Sequence, residues 1–374
     1  MRRLDDRAAW LVLSAVAGVG PRTCGALVRR FGSAARAVSA SASELANGPG
    51  IGSARGSALA RDFAAVDPAA LEASARAAGL RVCTPVDDDY PECVRASPDP
   101  PAALYVKGAL PPDDGIAVAI VGTRGASPYG LRLARRFAQD LARAGVVIVS
   151  GLARGIDGAA HAGALAGGGT TVAVLGCGAD VVYPPEHQVL AAEVLVRGAL
   201  VSEHPPGTPP LPGHFLRRNR IVAAMSKAVV VIEAPLESGA LTTARLANEL
   251  GRVVMAVPGP VDRGSHGGCH RLLRDGAMLC ESPDDILAAI GFLPTPSGSG
   301  ESAAGPASGS RFLPPPVGSA RVIWDSLDLD DARDADDLGR RTGLSPDAVA
   351  DALTTLELDG RITRMPGAGF LRSR

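Results

Sequence analysis

AVAIVGTRGASPYG (117–130), VVIVSGLARGIDGAAH (146–161), TVAVLGCG (171–178), AVVVIEAPLESGALTTA (228–244) and VVMAVPGP (253–260) repeat one event. In each, a short apolar strand ends in a glycine-rich turn that leads toward a helix. Strands alternating with helices imply an α/β fold, Rossmann-like, with a doubly wound and mostly parallel sheet. Parallel strands collect such turns at one sheet edge, where backbone N–H groups and helix N-termini attract phosphate oxygens. Several turns carry an arginine, and none carries an obvious catalytic dyad. The combination predicts a site that holds a polyanion and does not transform it.

Bulk properties narrow the setting. At 374 residues the chain has room for two or three domains, and 46% hydrophobic with 21% charged residues describes a soluble globular protein. Aromatics are 3%, so stacking on nucleobases is confined to a few places. A formal net charge of −1 rules out a uniformly basic coat and makes any basic surface local. Cys24, Cys83, Cys93, Cys177, Cys269 and Cys280 are scattered with no CxxC pair, which fits a reducing compartment and excludes a usual zinc cluster. The N-terminus reads as no signal peptide, and no run reaches the roughly 18–20 apolar residues of a membrane span. Cytoplasm is the expectation, with no bound metal.

Outward from the sheet, residues 1–70 read as a small helical domain with two glycine turns, Gly18-Val19-Gly20 and Gly50-Ile51-Gly52. They resemble the helix-hairpin-helix (or SAM-like) pattern; packing and phosphate binding are equally open as their role. Residues 71–292 hold the core. In its opening connector, Asp87, Asp88 and Asp89 read as a solvated turn and Tyr105-Val106 as the start of an edge strand. Residues 293–317 are a Pro/Gly/Ser linker, expected to be flexible. Residues 318–374 have the order of a winged helix: helices at 321–327, 334–344 and 345–360, then a wing around Pro366-Gly367. Its third helix carries Asp347, Asp351, Glu357 and Asp359, a face that phosphate repels, so a protein contact is at least as good a reading as DNA.

Candidate chemistry sits on the turns. Gly122-Thr123-Arg124 puts a hydroxyl and a guanidinium beside open amides, a phosphate nest without dinucleotide or P-loop spacing. Ser150-Gly151 opens the second turn. Ser150, Asp157 and His161 are set aside as a hydrolytic triad, because Asp157 reads as a helix cap and His161 as a local packing residue. Phe215-Leu216-Arg217-Arg218-Asn219-Arg220 is the densest basic feature. Arg217 and Arg220 share a helix face there, and Phe215 can stack on one base. Gly239 and Thr242 belong to another anion-seeking helix start. His266 and His270 are set aside as a zinc pair, because Gly267-Gly268 interrupts the spacing.

These strings, with SEHPPG (202–207), FLRRNRIVAAMS (215–226) and GSHGGCHRLLRDGA (264–277) in order, resemble the DNA-processing protein A (DprA, or Smf) family. The resemblance covers roughly 87–290 densely. It implies a Rossmann-like core that binds single-stranded DNA, protects incoming DNA, dimerises and helps load the RecA recombinase during natural transformation. It implies no enzyme activity and no cofactor. By motif position it places the phosphate-contacting arginine on Arg124, and the stacking ring and basic cluster on Phe215, Arg218, Asn219 and Arg220. Ser150, Gly151, Gly239 and Thr242 line the same pocket on this reading. His187 and His270 stand where the family more often has Asn. The rival reading is a nucleotide-binding, phosphoribohydrolase-like enzyme with Glu237 as its acid.

Overall fold

The computed structural model describes residues 4–48, 51–292, 316, 318–327, 332–359, 361–365 and 369–372. Gly50, nearly all of the expected linker and the Pro-Gly of the expected wing lie outside the described residues.

The core is built on nine strands: β1 (Arg81–Cys83), β2 (Leu104–Gly108), β3 (Ala117–Val121), β4 (Val147–Ser150), β5 (Thr171–Leu175), β6 (Ala199–Ser202), β7 (Ala228–Val231), β8 (Val253–Ala256) and β9 (Met278–Leu279). They form one sheet in the order β1-β2-β6-β5-β4-β3-β7-β8-β9. The seven from β6 to β9 run parallel, while β2 pairs antiparallel with both β6 and β1. Tyr105 and Val106 therefore lie one strand in from the edge, which β1 occupies. The fold is α/β with a doubly wound, mostly parallel sheet.

Burial on both faces explains why the strands read as continuous apolar runs. In β3, Ala117, Ala119 and Val121 pack into one apolar cluster, and Val118 and Ile120 into the cluster on the opposite face. Each fully buried Val or Ile contributes about 1.5–3 kcal/mol of transfer free energy. With α1 (Pro21–Phe31) in the N-terminal bundle, four helices frame the strand-end turns: α2 (Pro128–Arg143), α3 (Ile156–Ala166), α4 (Pro212–Ala224) and α5 (Gly239–Glu249). The 131–145 spacing places Leu131, Ala134, Ala138 and Leu141 on one face of α2; the last three are buried, Leu131 is only half-buried, and Phe137 joins the buried set. Gly145 then turns the chain at φ 89.

The small helical bundle holds α1 and buries Trp10, Leu13, Leu27 and Phe63. It is tied to the core by Arg7, whose Nε donates to Asp87 Oδ1 at 2.9 Å. Asp87 also accepts from Thr84 N at 2.8 Å. The acidic turn is thus only partly solvated: Asp88 and Asp89 are exposed, while Asp87 is a half-buried anchor.

The C-terminal unit packs helices Gly318–Ser326, Ala335–Thr342 and Pro346–Leu358 around Ile323, Leu338, Leu353 and Leu356. Strands Ile362–Met365 and Gly369–Arg372 pair antiparallel to complete a winged helix. Ser345 caps the third helix by accepting from Ala348 N at 3.4 Å. Asp347, Asp351 and Glu357 are exposed, which leaves that face acidic.

Candidate nucleic-acid interface

β3 lies between β4 and β7, and a cleft of about 330 Å³ opens beyond their carboxyl ends. Three turns and one helix supply its walls. Gly122, Thr123 and Arg124 come from the turn after β3; Gly151 and Ala153 from the turn after β4; and Glu237, Ser238 and Gly239 from the start of α5. α4 contributes Phe215, Arg218 and Asn219.

In the turn after β3, Thr123 N donates to Glu233 O at 2.7 Å, holding the turn against the end of β7. Arg124 is exposed, and its guanidinium carbon stands 5.2 Å from the Phe215 ring centroid. Phe215 is half-buried, with the Tyr183 ring 5.5 Å away. A Cβ on Gly176 would come within 2.8 Å of the Phe215 ring, so that glycine lets α4 bring the ring down onto the end of β5. The Arg–Phe contact is a cation–π pair that keeps the guanidinium near the cleft mouth.

The loop after β4 is held by buried polar groups. Asp157 Oδ2 accepts from Gly151 N at 3.1 Å and from Ala153 N at 3.4 Å. Its carboxylate therefore binds the preceding loop, a tighter arrangement than the simple helix cap expected; the N-cap position belongs to Gly155. His161 accepts from Leu152 N at Nε2, 3.3 Å away, and Nδ1 lies 2.7 Å from Thr171 Oγ1. The Thr171 hydroxyl is committed to Ile148 O, so Nδ1 carries the proton and donates. Burial pushes His161 down to about 3, which keeps it neutral. His187 Nδ1 donates to Leu152 O at 2.9 Å, so the histidine at this position supplies the loop with a hydrogen bond.

Arg218 is buried at 4% exposure and donates from Nη1 to Gly151 O at 2.7 Å and to Val174 O. A Cβ on Gly151 would fall 2.2 Å from Nη1, so only glycine admits the guanidinium there. Burial lowers its pKa, with the neighbouring Asp157 opposing that. Burial likewise raises the Asp157 pKa, against the pull of Arg218. Asn219 Nδ2 donates to Gly239 O at 3.3 Å and joins α4 to α5.

The structure thus brings together Gly122, Thr123, Arg124, Gly151, Phe215, Arg218, Asn219 and Gly239. Ser150 lies just behind them, buried, its hydroxyl donating to Ile120 O at 2.7 Å. Arg217, Arg220 and Thr242 line a different cleft. Arg220 is ion-paired with Glu203. Thr243 lines the first cleft and escapes the sequence reading, although it stands four residues after Gly239 and so on the same helical face. Ser238 and Glu237 also line it, Ser238 as the α5 cap accepting from Ala240 N at 3.3 Å. Among the described residues, no three His, Cys, Asp or Glu side chains could hold a metal ion, and no helix is long and apolar enough to cross a membrane. His270 Nε2 donates to Gly259 O at 3.0 Å.

Comparison with known proteins agrees across the chain. The family described as DNA recombination-mediator protein A matches residues 81–291, the DprA-like N-terminal HHH domain 4–77, and the DprA winged helix domain 312–368. Protein Smf of Escherichia coli is 42% identical over 294 residues, covering 78% of this chain and 77% of that protein. DNA processing protein DprA of Streptococcus pneumoniae is 42% identical over 207 residues, covering 55% of this chain and 73% of that one. Its X-ray structure superposes with a TM-score of 0.66 at 32% identity, covering 76% of this chain and 98% of that one. A Helicobacter pylori DprA structure, described as giving insight into a unique single-stranded DNA binding mode, has a TM-score of 0.51 at 31% identity and covers 56% of this chain and 96% of that one.

Proposed function

The chain belongs to the DNA recombination-mediator protein A family, and on that premise we propose that its cleft holds single-stranded DNA. The observation that supports this most is the meeting of Arg124 and Phe215 over a floor of turn amides. A phosphate fits the guanidinium and the amides of the turn after β3, and a base fits the half-exposed ring. Contacts to a phosphate and to the face of a base are independent of base identity, so binding by them is tolerant of sequence and sensitive to salt.

The reading is a binding protein and not an enzyme. Asp157 already holds two backbone N–H groups, and the Ser150 hydroxyl is spent on Ile120 O. Among the described residues lining the cleft, Glu237 is then left without a second carboxylate free to act on a ribosyl bond. Handing the strand to the RecA recombinase in transformation or recombination, working as a homodimer, and residence in the cytoplasm are parts of the same proposal. They rest on the family resemblance.

Titration of fluorescent oligo-dT, and of the matching duplex, with the wild type and with Arg124→Ala/Phe215→Ala tests the site. We expect tight binding of the single strand, weak binding of the duplex, and a loss of about 2–4 kcal/mol in the double variant from one phosphate and one stacking contact. Unchanged affinity in the double variant refutes the site. Release of free base from nucleoside monophosphates would favour the enzyme instead.

A further inference from the structure

Helix α4 has a second polar side. Arg217 and Arg220, with Arg245 of α5, face Arg22 at the start of α1 across a cleft of about 620 Å³. Four arginines line it against two carboxylates, Asp99 and Glu249. Leu216, 53% exposed, lines both this cleft and the first, so the two are contiguous.

The arginines are not equally committed. Arg220 and Glu203 form a pair with side chains only 17% and 11% exposed, which keeps them together. Arg22 meets Asp99 at 3.2 Å with its own side chain 92% exposed, and Arg245 meets Glu249 at 2.6 Å on the surface. Exposed pairs of this kind hold weakly, so either guanidinium can turn to a phosphate at little cost. Arg217 has no ion pair among the described residues. Among the described residues no aromatic ring lines the cleft; Leu246 and Leu250 form its apolar side. Such chemistry grips a phosphate backbone without stacking a base.

We propose that this second cleft continues the track of the same strand: beyond Leu216, its phosphates lie between Arg22 of the helical domain and Arg217 and Arg245 of the core. The proposal rests on the reading of the first cleft as a single-stranded DNA site. It also gives the glycine turn Gly18-Val19-Gly20 a role, since that turn delivers Arg22 to the cleft wall.

Length dependence tests it on the full chain, with oligo-dT of about 6 and about 16 nucleotides, the range of site sizes such grooves span. For Arg22→Ala/Arg245→Ala, affinity for the longer strand should fall about tenfold while the shorter is held as before. Its plot of log affinity against log salt should become shallower by about 1.4, from two phosphates at about 0.7 each. Unchanged affinity and slope for the longer strand overturn the proposal and leave these arginines to a protein partner. An equal loss for both lengths overturns it too, because the arginines would then act on the first cleft. Arg124→Ala, run alongside, separates the two readings: if it leaves both strands bound as before, the first cleft fails as the DNA site whatever the double variant does.

Discussion

The turns after β3 and β4 stand side by side and are held in opposite ways. The turn after β4 is braced from below by Asp157, His161, His187 and Arg218, all bonded to its backbone. Its own arginine, Arg154, is about half exposed and paired with Glu186. The turn after β3 has Thr123 N tied to Glu233 O, and its arginine leans over Phe215 at the cleft mouth. One turn is a fixed wall and the other presents a charged hand. A cleft needs both, because a guanidinium finds its ligand only relative to something that does not move.

Removing the brace is the most severe challenge to this contrast. Arg218→Met deprives Gly151 O and Val174 O of their donor and leaves Asp157 without its neighbouring cation. A loss of about 3 kcal/mol or more in unfolding free energy is expected in chemical denaturation. A change within about 0.5 kcal/mol would show that the wall does not depend on this side chain.

Phe215→Ala works on the presenting side. It should weaken single-stranded oligo-dT by about 1–3 kcal/mol in direct titration while leaving the melting temperature close to wild type, since the ring is half exposed. A large drop in melting temperature with unchanged binding would assign the ring to packing.

The wall also titrates. The folded-state pKa of His161 lies near 3, below its ordinary value of about 6.5, so the unfolded chain takes up the proton first. Stability is therefore full above about pH 6.5 and is lost as pH falls toward about 3. At about pH 5 the loss from this residue is about 2 kcal/mol relative to neutral pH, readable from denaturant midpoints. Equal stability at both pH values would contradict a neutral, Nδ1-protonated ring.

The smallest effect belongs to Arg154→Ala. Its pair with Glu186 is about half exposed on both sides and holds weakly, so the denaturation midpoint should stay close to wild type. Binding should change less than in Arg124→Ala, because the turn after β3 carries the guanidinium that leans over Phe215. A clear loss of DNA affinity would make this turn a presenting one and end the contrast.

Much of the architecture is legible in the sequence alone. Strand, glycine turn and helix start at 117–130 and 228–244 follow from apolar runs bounded by glycine, and Ser345-Pro346 fixes a helix start by cap chemistry. Direction stays hidden. In Arg217-Arg218-Asn219-Arg220, three arginines look alike as a string, and only the rotation of α4 sends Arg218 inward and Arg217 and Arg220 to another cleft. Asp157 reads as a cap because it sits at a helix start. Its reach back to Gly151 depends on the loop folding over it, which no local pattern encodes. Tyr105 reads as an edge residue because nothing in its own strand announces that Arg81–Cys83 will pair outside it.

The Phe215 ring sits in a recess between Tyr183 and Arg124, not on an open face. On the proposed reading, a nucleobase reaches it only after leaving its neighbours in the stack. A strand that is already unpaired makes that move freely, whereas a duplex must first surrender a base pair at a cost of a few kcal/mol. Discrimination would then reside in the suppleness of the ligand, with the protein itself holding still.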